Sequence, residues 1–372
     1  MAEPMKRKKQ PDFLLLLSVL GLLTIGIIMV FSASQYMAAD SAVNDGFYYL
    51  KKQCMWAAIG IAVMILMLKT DYMFFKKLAW PGLIAGVLCL IMVKVGVGAG
   101  ALGAERSIVL GPIHFQPSEF AKLALILFFA YNMNKCGEKM NSFTVGFLPH
   151  IGILAVFCGL IMLQPDLGTS VALVGTAFLM MLGGGVKYRY LISMVVGGCF
   201  LVILAIWLEP FRMSRFTAFL DPWADPLGYG FQTVQSLIAI GSGGFTGVGL
   251  GAGGSKWYYL PEVHTDFIFA LIGEELGFIG TVFTVLLFGV FVWRGIRIAL
   301  TLEDSFGALL ALGITSMVGV QTLINVFVAT GMMPVTGIAL PFISYGGSSL
   351  LFTLAAAGVL LNLSAYMPKG GS

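Results

Sequence analysis

The sequence predicts an all-α, polytopic integral membrane protein of about ten transmembrane helices with one long extracytoplasmic loop. Three observations carry that reading. Of 372 residues, 58% are hydrophobic and only 11% charged, against roughly 25% charged in a soluble globular chain. Mean hydropathy is +0.93. The apolar residues fall in blocks of about 20, the length a helix needs to cross a ~30 Å hydrocarbon core, whereas a membrane β-barrel would alternate in segments of ~10.

The blocks are, in order, 12–34, 53–68, 77–98, 117–134, 147–164, 166–184, 188–209, 266–293, 305–330 and 341–363. They form a single membrane domain, residues 1–372, with a tail at 1–11 and another at 364–372. Lys6, Arg7, Lys8 and Lys9 before the first block suggest a signal peptide. That apolar run is too long for one and no small-residue cleavage site stops it cleanly, so it reads as a retained span. The 210–265 connection holds many Gly and Pro residues, several charges and no apolar span. A connection of that length is usually functional.

Cys54, Cys89, Cys136, Cys158 and Cys199 are isolated, with no ligand spacing, and read as packing residues. No basic run is interleaved with aromatics, so nucleic acid is not an expected partner.

Orientation follows from Lys and Arg. With the N-terminus inside, inner segments hold 14 of the 22 basic residues and outer segments and span edges hold seven, although Lys51 and Lys52 oppose the bias. Both termini are then cytoplasmic, and every even-numbered span starts at the outer face. Four polar signatures sit at such starts: QPSEFAKL (Gln116–Leu123), QPDLGTS (Gln164–Ser170), EVHTDF (Glu262–Phe267) and LPFISYGGSS (Leu340–Ser349). The chemistry is therefore expected at one membrane face, the extracytoplasmic one.

Each acidic signature, taken alone, is equally a helix start: Pro suits the first position, acids suit the positive helix end, and Ser or Thr caps. Three acids converging on one face weigh against that, because a dipole partner is worth only ~0.3–1 kcal/mol and a charge at membrane depth costs several times more. Glu119 and Lys122, three apart, are expected to form an intrahelical ion pair. Glu274 and Glu275 lie two turns deeper than Asp266, and at least one should face the bundle interior. His264 lacks partners at metal-ligand spacing. The run GSGGFTGVGLGAGG (Gly241–Gly254) lacks the strand and Lys of a phosphate loop and is expected to permit close backbone approach. The small residues of Ser344–Ser349 suit close helix packing in part.

With QPSEFAKL, QPDLGT, the long stretch Phe219–Gly251, YLPEVHTDFIFALIGEELG (Tyr259–Gly277) and PVTGIALPFISYGGSS (Pro334–Ser349) in order, the chain resembles the SEDS family (shape, elongation, division and sporulation). Around Pro222-Trp223 and Ala339-Leu340-Pro341 it is nearer the FtsW and SpoVE members than RodA. The resemblance implies a ten-helix fold, a glycosyltransferase that polymerises lipid II into peptidoglycan strands, and a class B penicillin-binding protein and other division or elongation proteins as partners. It implies that the essential acid is Asp266, and it matches Glu119, Lys122 and Asp166 to family motif positions. In GAERSIVLG (Gly103–Gly111) Arg106 is kept, but Ser107 stands where the family carries a functionally important Trp.

An inverting transfer from a pyrophosphate donor needs one general base and cationic stabilisation of the leaving group, without a second carboxylic acid. Asp266 is the expected base. Arg106, Lys122, Arg212, Arg215 and Lys256 are candidates for the diphosphate, with Asp166 or Glu119 as alternative ligands of a divalent cation such as Mg or Mn. His264, Ser344 and Ser348 complete the candidate substrate-binding set. A lipid II flippase and a non-catalytic scaffold for a transpeptidase are the competing expectations.

Overall fold

A computed structural model describes residues 10–39, 45–99, 106–110, 113–254 and 263–368. The helices are α1 (Phe13–Ala39), α2 (Tyr48–Lys69), α3 (Tyr72–Lys77), α4 (Ala79–Met92), α5 (Pro117–Cys136), α6 (Leu148–Met162), α7 (Leu167–Gly183), α8 (Tyr188–Trp207), α9 (Pro210–Leu220), α10 (Phe231–Gly243), α11 (Ile268–Thr301), α12 (Ser305–Ala329) and α13 (Gly347–Ser364). Each expected span corresponds to a helix. Seven described helices are long and apolar enough to cross a membrane, and two apolar ones, 79–95 and 167–183, are shorter. Glu119, Lys122 and Lys135 lie on α5.

Several boundaries differ from expectation. The last span begins at Gly347 rather than 341, because Pro341–Tyr345 forms a turn beneath the His264–Asp266 backbone. The eighth runs to Thr301 and is broken at Gly277, whose φ of 65° and ψ of −163° no helix accommodates. The 210–265 connection contains two helices, α9 and α10. A small antiparallel sheet, β1 (Gly98–Ala99), β2 (Ser107–Leu110) and β3 (Ile113–Phe115), precedes α5. Strands of two to four residues carry no periodicity to read.

Interhelical contacts show how the helices run. Asp12 on the approach to α1 meets Arg294 of α11, and Ser32 further along α1 meets Glu275, so the two are antiparallel. A Cβ on Gly60 would run into Leu354 and one on Gly358 into Met64, so α2 and α13 lie parallel and close. Small residues at such crossings let backbones approach where the hydrophobic effect gives helices no drive to associate. At one end of the bundle the Asp12 carboxylate, buried, accepts from Arg294 Nε at 2.8 Å, while its backbone N–H donates to Ser364 Oγ at 2.9 Å. At the other end the four polar signatures meet.

The break in α11 is stitched by the Gly-rich run. Val248 and Gly249 donate to the carbonyls of Glu274 and Glu275 (3.0 and 3.1 Å), and Phe278 and Ile279 donate to those of Gly244 and Phe245 (3.0 and 3.2 Å). These bonds answer groups that the interrupted helix leaves open, which lipid cannot satisfy. The close backbone approach expected of this run is thereby found.

Candidate active site

The site is built on the turn Val263–Phe267 and the segment 331–346. Because α11 starts at Ile268 after Phe267 as N-cap, Asp266 stands before the helix rather than in its first turn. The backbone of the turn is held from below: Tyr345 N–H donates to His264 O at 2.9 Å, Ser344 Oγ to Thr265 O at 2.5 Å, and Asn325 Nδ2 to Asp266 O at 2.9 Å. Gly337, at φ 73°, lies against the Asp266 carboxylate; a Cβ there would stand 3.4 Å from Oδ2.

Two arginines share this field. Arg215, on α9, donates to Val335 O at 3.4 Å and lies over the Phe211 ring, 4.5 Å from its centroid. Burial lowers its pKa from the usual arginine value; the positive charge of Arg106 pushes the same way and Asp266 opposes both. Arg106 donates through Nε to Gln164 O (3.2 Å) and through Nη2 to Pro165 O (2.6 Å), while Gln164 anchors on Leu90 O at 3.1 Å. The QPDLG signature thus seats one cation of the site.

The remaining candidates are placed differently. Glu119 and Lys122 form the expected intrahelical pair at 2.8 Å, with side chains 11% and 4% exposed. Asp166 caps α7: its two oxygens accept from Thr169 N–H (3.0 Å) and Thr169 Oγ1 (2.8 Å). Ser344 and Ser348, expected to touch substrate, bond backbone instead. Ser344 Oγ also accepts from Leu340 N–H at 2.8 Å, and Ser348 Oγ donates to His114 O (2.8 Å) and accepts from Gln116 N–H (3.1 Å). Small hydroxyls this close to loop backbone act as pins. Arg212 is turned to α8, on Ala205 O at 3.2 Å. His264 is buried between the rings of Tyr49 and Tyr345 (5.2 and 5.7 Å between centroids). Ser107 stands in β2 opposite Ala99. Lys256 and Glu262 lie outside the described residues.

One residue escaped sequence reading. Asn325 joins the site from α12; a buried amide in an apolar span was the available signal. Glu274 and Glu275, of which at least one was expected to face the interior, are both buried: Glu275 accepts from Ser32 Oγ (2.6 and 2.7 Å to its two oxygens) and Glu274 Oε1 from Gly254 N–H at 2.6 Å. Among the described residues no three His, Cys, Asp or Glu side chains gather, Glu119 is paired with Lys122, and Asp166 is occupied by its cap.

The family model described as "Cell cycle protein", covering FtsW, RodA and SpoVE, matches residues 13–369. The chain belongs to the FtsW/RodA/SpoVE family. Among relatives of this family, a probable peptidoglycan glycosyltransferase FtsW of Geobacter sp. (strain M18) is 44% identical over 368 residues, covering 98% of this chain and 99% of that protein. The stage V sporulation protein E of Bacillus subtilis (strain 168) is 45% identical over 97% of this chain and 98% of its own length. Among solved structures of the family, one described as "Structural coordination of polymerization and crosslinking by a peptidoglycan synthase complex" matches with TM-score 0.78 and 32% identity, over 95% of this chain and 97% of that one. The rod shape determining protein RodA of Thermus thermophilus matches with TM-score 0.68 and 28% identity, over 95% and 96%. The FtsW/RodA/SpoVE assignment and the all-α membrane fold agree with what the motifs implied.

Proposed function

We propose that this chain is a peptidoglycan glycosyltransferase that polymerises lipid II at the outer face of the cytoplasmic membrane, with inversion at the donor sugar, in cell division or sporulation. The observation that carries the reading is geometric: Arg215 holds Val335 O, two residues from the Gly337 that lies against the Asp266 carboxylate, and Arg106 is seated on the QPDLG carbonyls, in a chain whose relatives are named peptidoglycan glycosyltransferases.

Asp266 takes the proton of the acceptor sugar hydroxyl as that oxygen attacks the donor carbon. The bond to the lipid pyrophosphate breaks on the opposite side, and the leaving group departs with its electron pair. Arg215 and Arg106 stabilise the charge that develops there, where low dielectric makes fixed cations effective. Lys122 acts at most through its pair with Glu119.

The topology that goes with this function places both termini in the cytoplasm and the 210–265 segment outside, in a single membrane domain with tails at 1–11 and 364–372. The partner is a class B penicillin-binding protein that crosslinks the new strand. The match to a synthase complex that coordinates polymerization and crosslinking supports this pairing.

The test is to incubate the purified protein, with and without that partner, with lipid II in detergent. Glycan strands that vanish in Asp266→Asn are the expected result. Full polymerisation by Asp266→Asn overturns the base assignment. Lipid scrambling in vesicles without polymer favours a flippase, and neither activity a scaffold.

A further inference from the structure

Asn325 is 1% exposed, near the end of the largely apolar α12. Its Nδ2 donates to two carbonyls from different loops, Asp266 O at 2.9 Å and Ile338 O at 2.8 Å. The pattern fixes the amide's orientation: a primary amide has two N–H donors, and its oxygen turned onto two carbonyls would be repelled. One side chain therefore ties the turn carrying Asp266 to the irregular stretch carrying Gly337, whose backbone lies against the Asp266 carboxylate. Ser344 and Tyr345 secure the two preceding carbonyls of the same turn.

We propose that Asn325 is a positioning residue: by clamping the carbonyls of Asp266 and Ile338 together it sets the direction of the Asp266 carboxylate. The inference rests on Asp266 being the general base. A base works only within hydrogen-bond reach of its proton, and a misplacement of about 1 Å costs on the order of 100-fold in rate. Asn325→Asp keeps the shape but sets an oxygen against two carbonyls. Asn325→Gln keeps the donors on a longer stem.

The experiment compares lipid II polymerisation by wild type, Asn325→Ala, Asn325→Asp, Asn325→Gln, Asp266→Asn and Thr322→Val, each purified with the partner transpeptidase. Thr322 is a buried control whose hydroxyl bonds its own helix at Val318 O, 2.8 Å. Expected are a fall in kcat of roughly 10- to 100-fold for Asn325→Ala and Asn325→Asp with KM within about twofold, partial recovery in Asn325→Gln, a shifted pH–rate profile, and an unchanged Thr322→Val. Hydrogen exchange across 263–268 and 338–345 should rise together in Asn325→Ala and stay put in Thr322→Val. If Asn325→Ala does not fold, Asn325→Gln and Asn325→Asp read the same clamp. A kcat within twofold of wild type in the Asn325 variants, an equal loss in Thr322→Val, or unchanged exchange overturns the proposal. An inactive Asp266→Asn beside fully active Asn325 variants overturns the positioning alone. A fully active Asp266→Asn overturns the base assignment instead, and exchange then decides the clamp.

Discussion

Gly247 and Gly277 lie backbone against backbone at the break in α11. A Cβ on Gly277 would collide with Gly247 N, and one on Gly247 with Glu275 O. Both residues have positive φ, 65° at Gly277 and 83° at Gly247. The Gly277 conformation is essentially confined to glycine and costs any other residue about 1–3 kcal/mol before the clash is counted. Gly277→Ala should therefore destabilise by at least that amount, and Gly247→Ala comparably. Thermal melting in detergent reads it; an unchanged melting temperature in both variants would refute the stitched break.

Ser32 supplies the Glu275 carboxylate with a hydroxyl donor at the crossing of α1 and α11. Ser32→Ala removes that donor and leaves a buried acid less satisfied, at a cost of about 1–3 kcal/mol. Ser32→Thr, which keeps the hydroxyl, should lose less. The comparison is made by thermal melting, and equal loss in both would point to packing rather than to the hydrogen bond.

Asp12 and Arg294 form a buried ion pair far from the proposed chemistry. Breaking such a pair from one side strands a charge and costs about 3–5 kcal/mol. Asp12→Asn and Arg294→Met should each be strongly destabilising and the double variant less than their sum. Polymerisation per folded molecule should stay near wild type. A double-mutant cycle that is additive within about 0.5 kcal/mol would show that the two do not interact.

Arg215 is expected to act on the leaving diphosphate. Arg215→Ala should lower kcat/KM by about 100- to 1,000-fold. Arg215→Lys should recover only part, because a point charge replaces a planar fork and the stacking on Phe211 is lost. Arg215→Ala polymerising at the wild-type rate would remove it from the site.

How much of this was legible depends on the distance over which a signal acts. Spans are written locally, since a helix in lipid must satisfy its own backbone and needs about 20 apolar residues to do so. Asp266 stood out for the same reason, as an ionisable group where apolar sequence begins. The pair Glu119–Lys122 was readable from its spacing, and so was Asp166 as a cap. What could not be read were roles assigned by distant partners. Ser344 and Ser348 look alike in sequence, yet one pins Thr265 and the other His114. Asn325 gains its meaning only when Asp266 and Ile338 arrive over it. The Gly-rich run signalled close approach without naming its counterpart, Gly277.

The Asp12 knot bears on the order of biogenesis. Asp12 N–H is answered by Ser364, 352 positions further along, and its carboxylate by Arg294. During translation the first helix reaches the bilayer with an acid whose counter-charge does not yet exist, and its amide partner emerges only with the final helix. Closure at this end of the bundle thus waits until α13 has been made. A chain truncated before Ser364 would expose that lapse to the quality-control proteases of the membrane even though every residue of the reaction centre had been made.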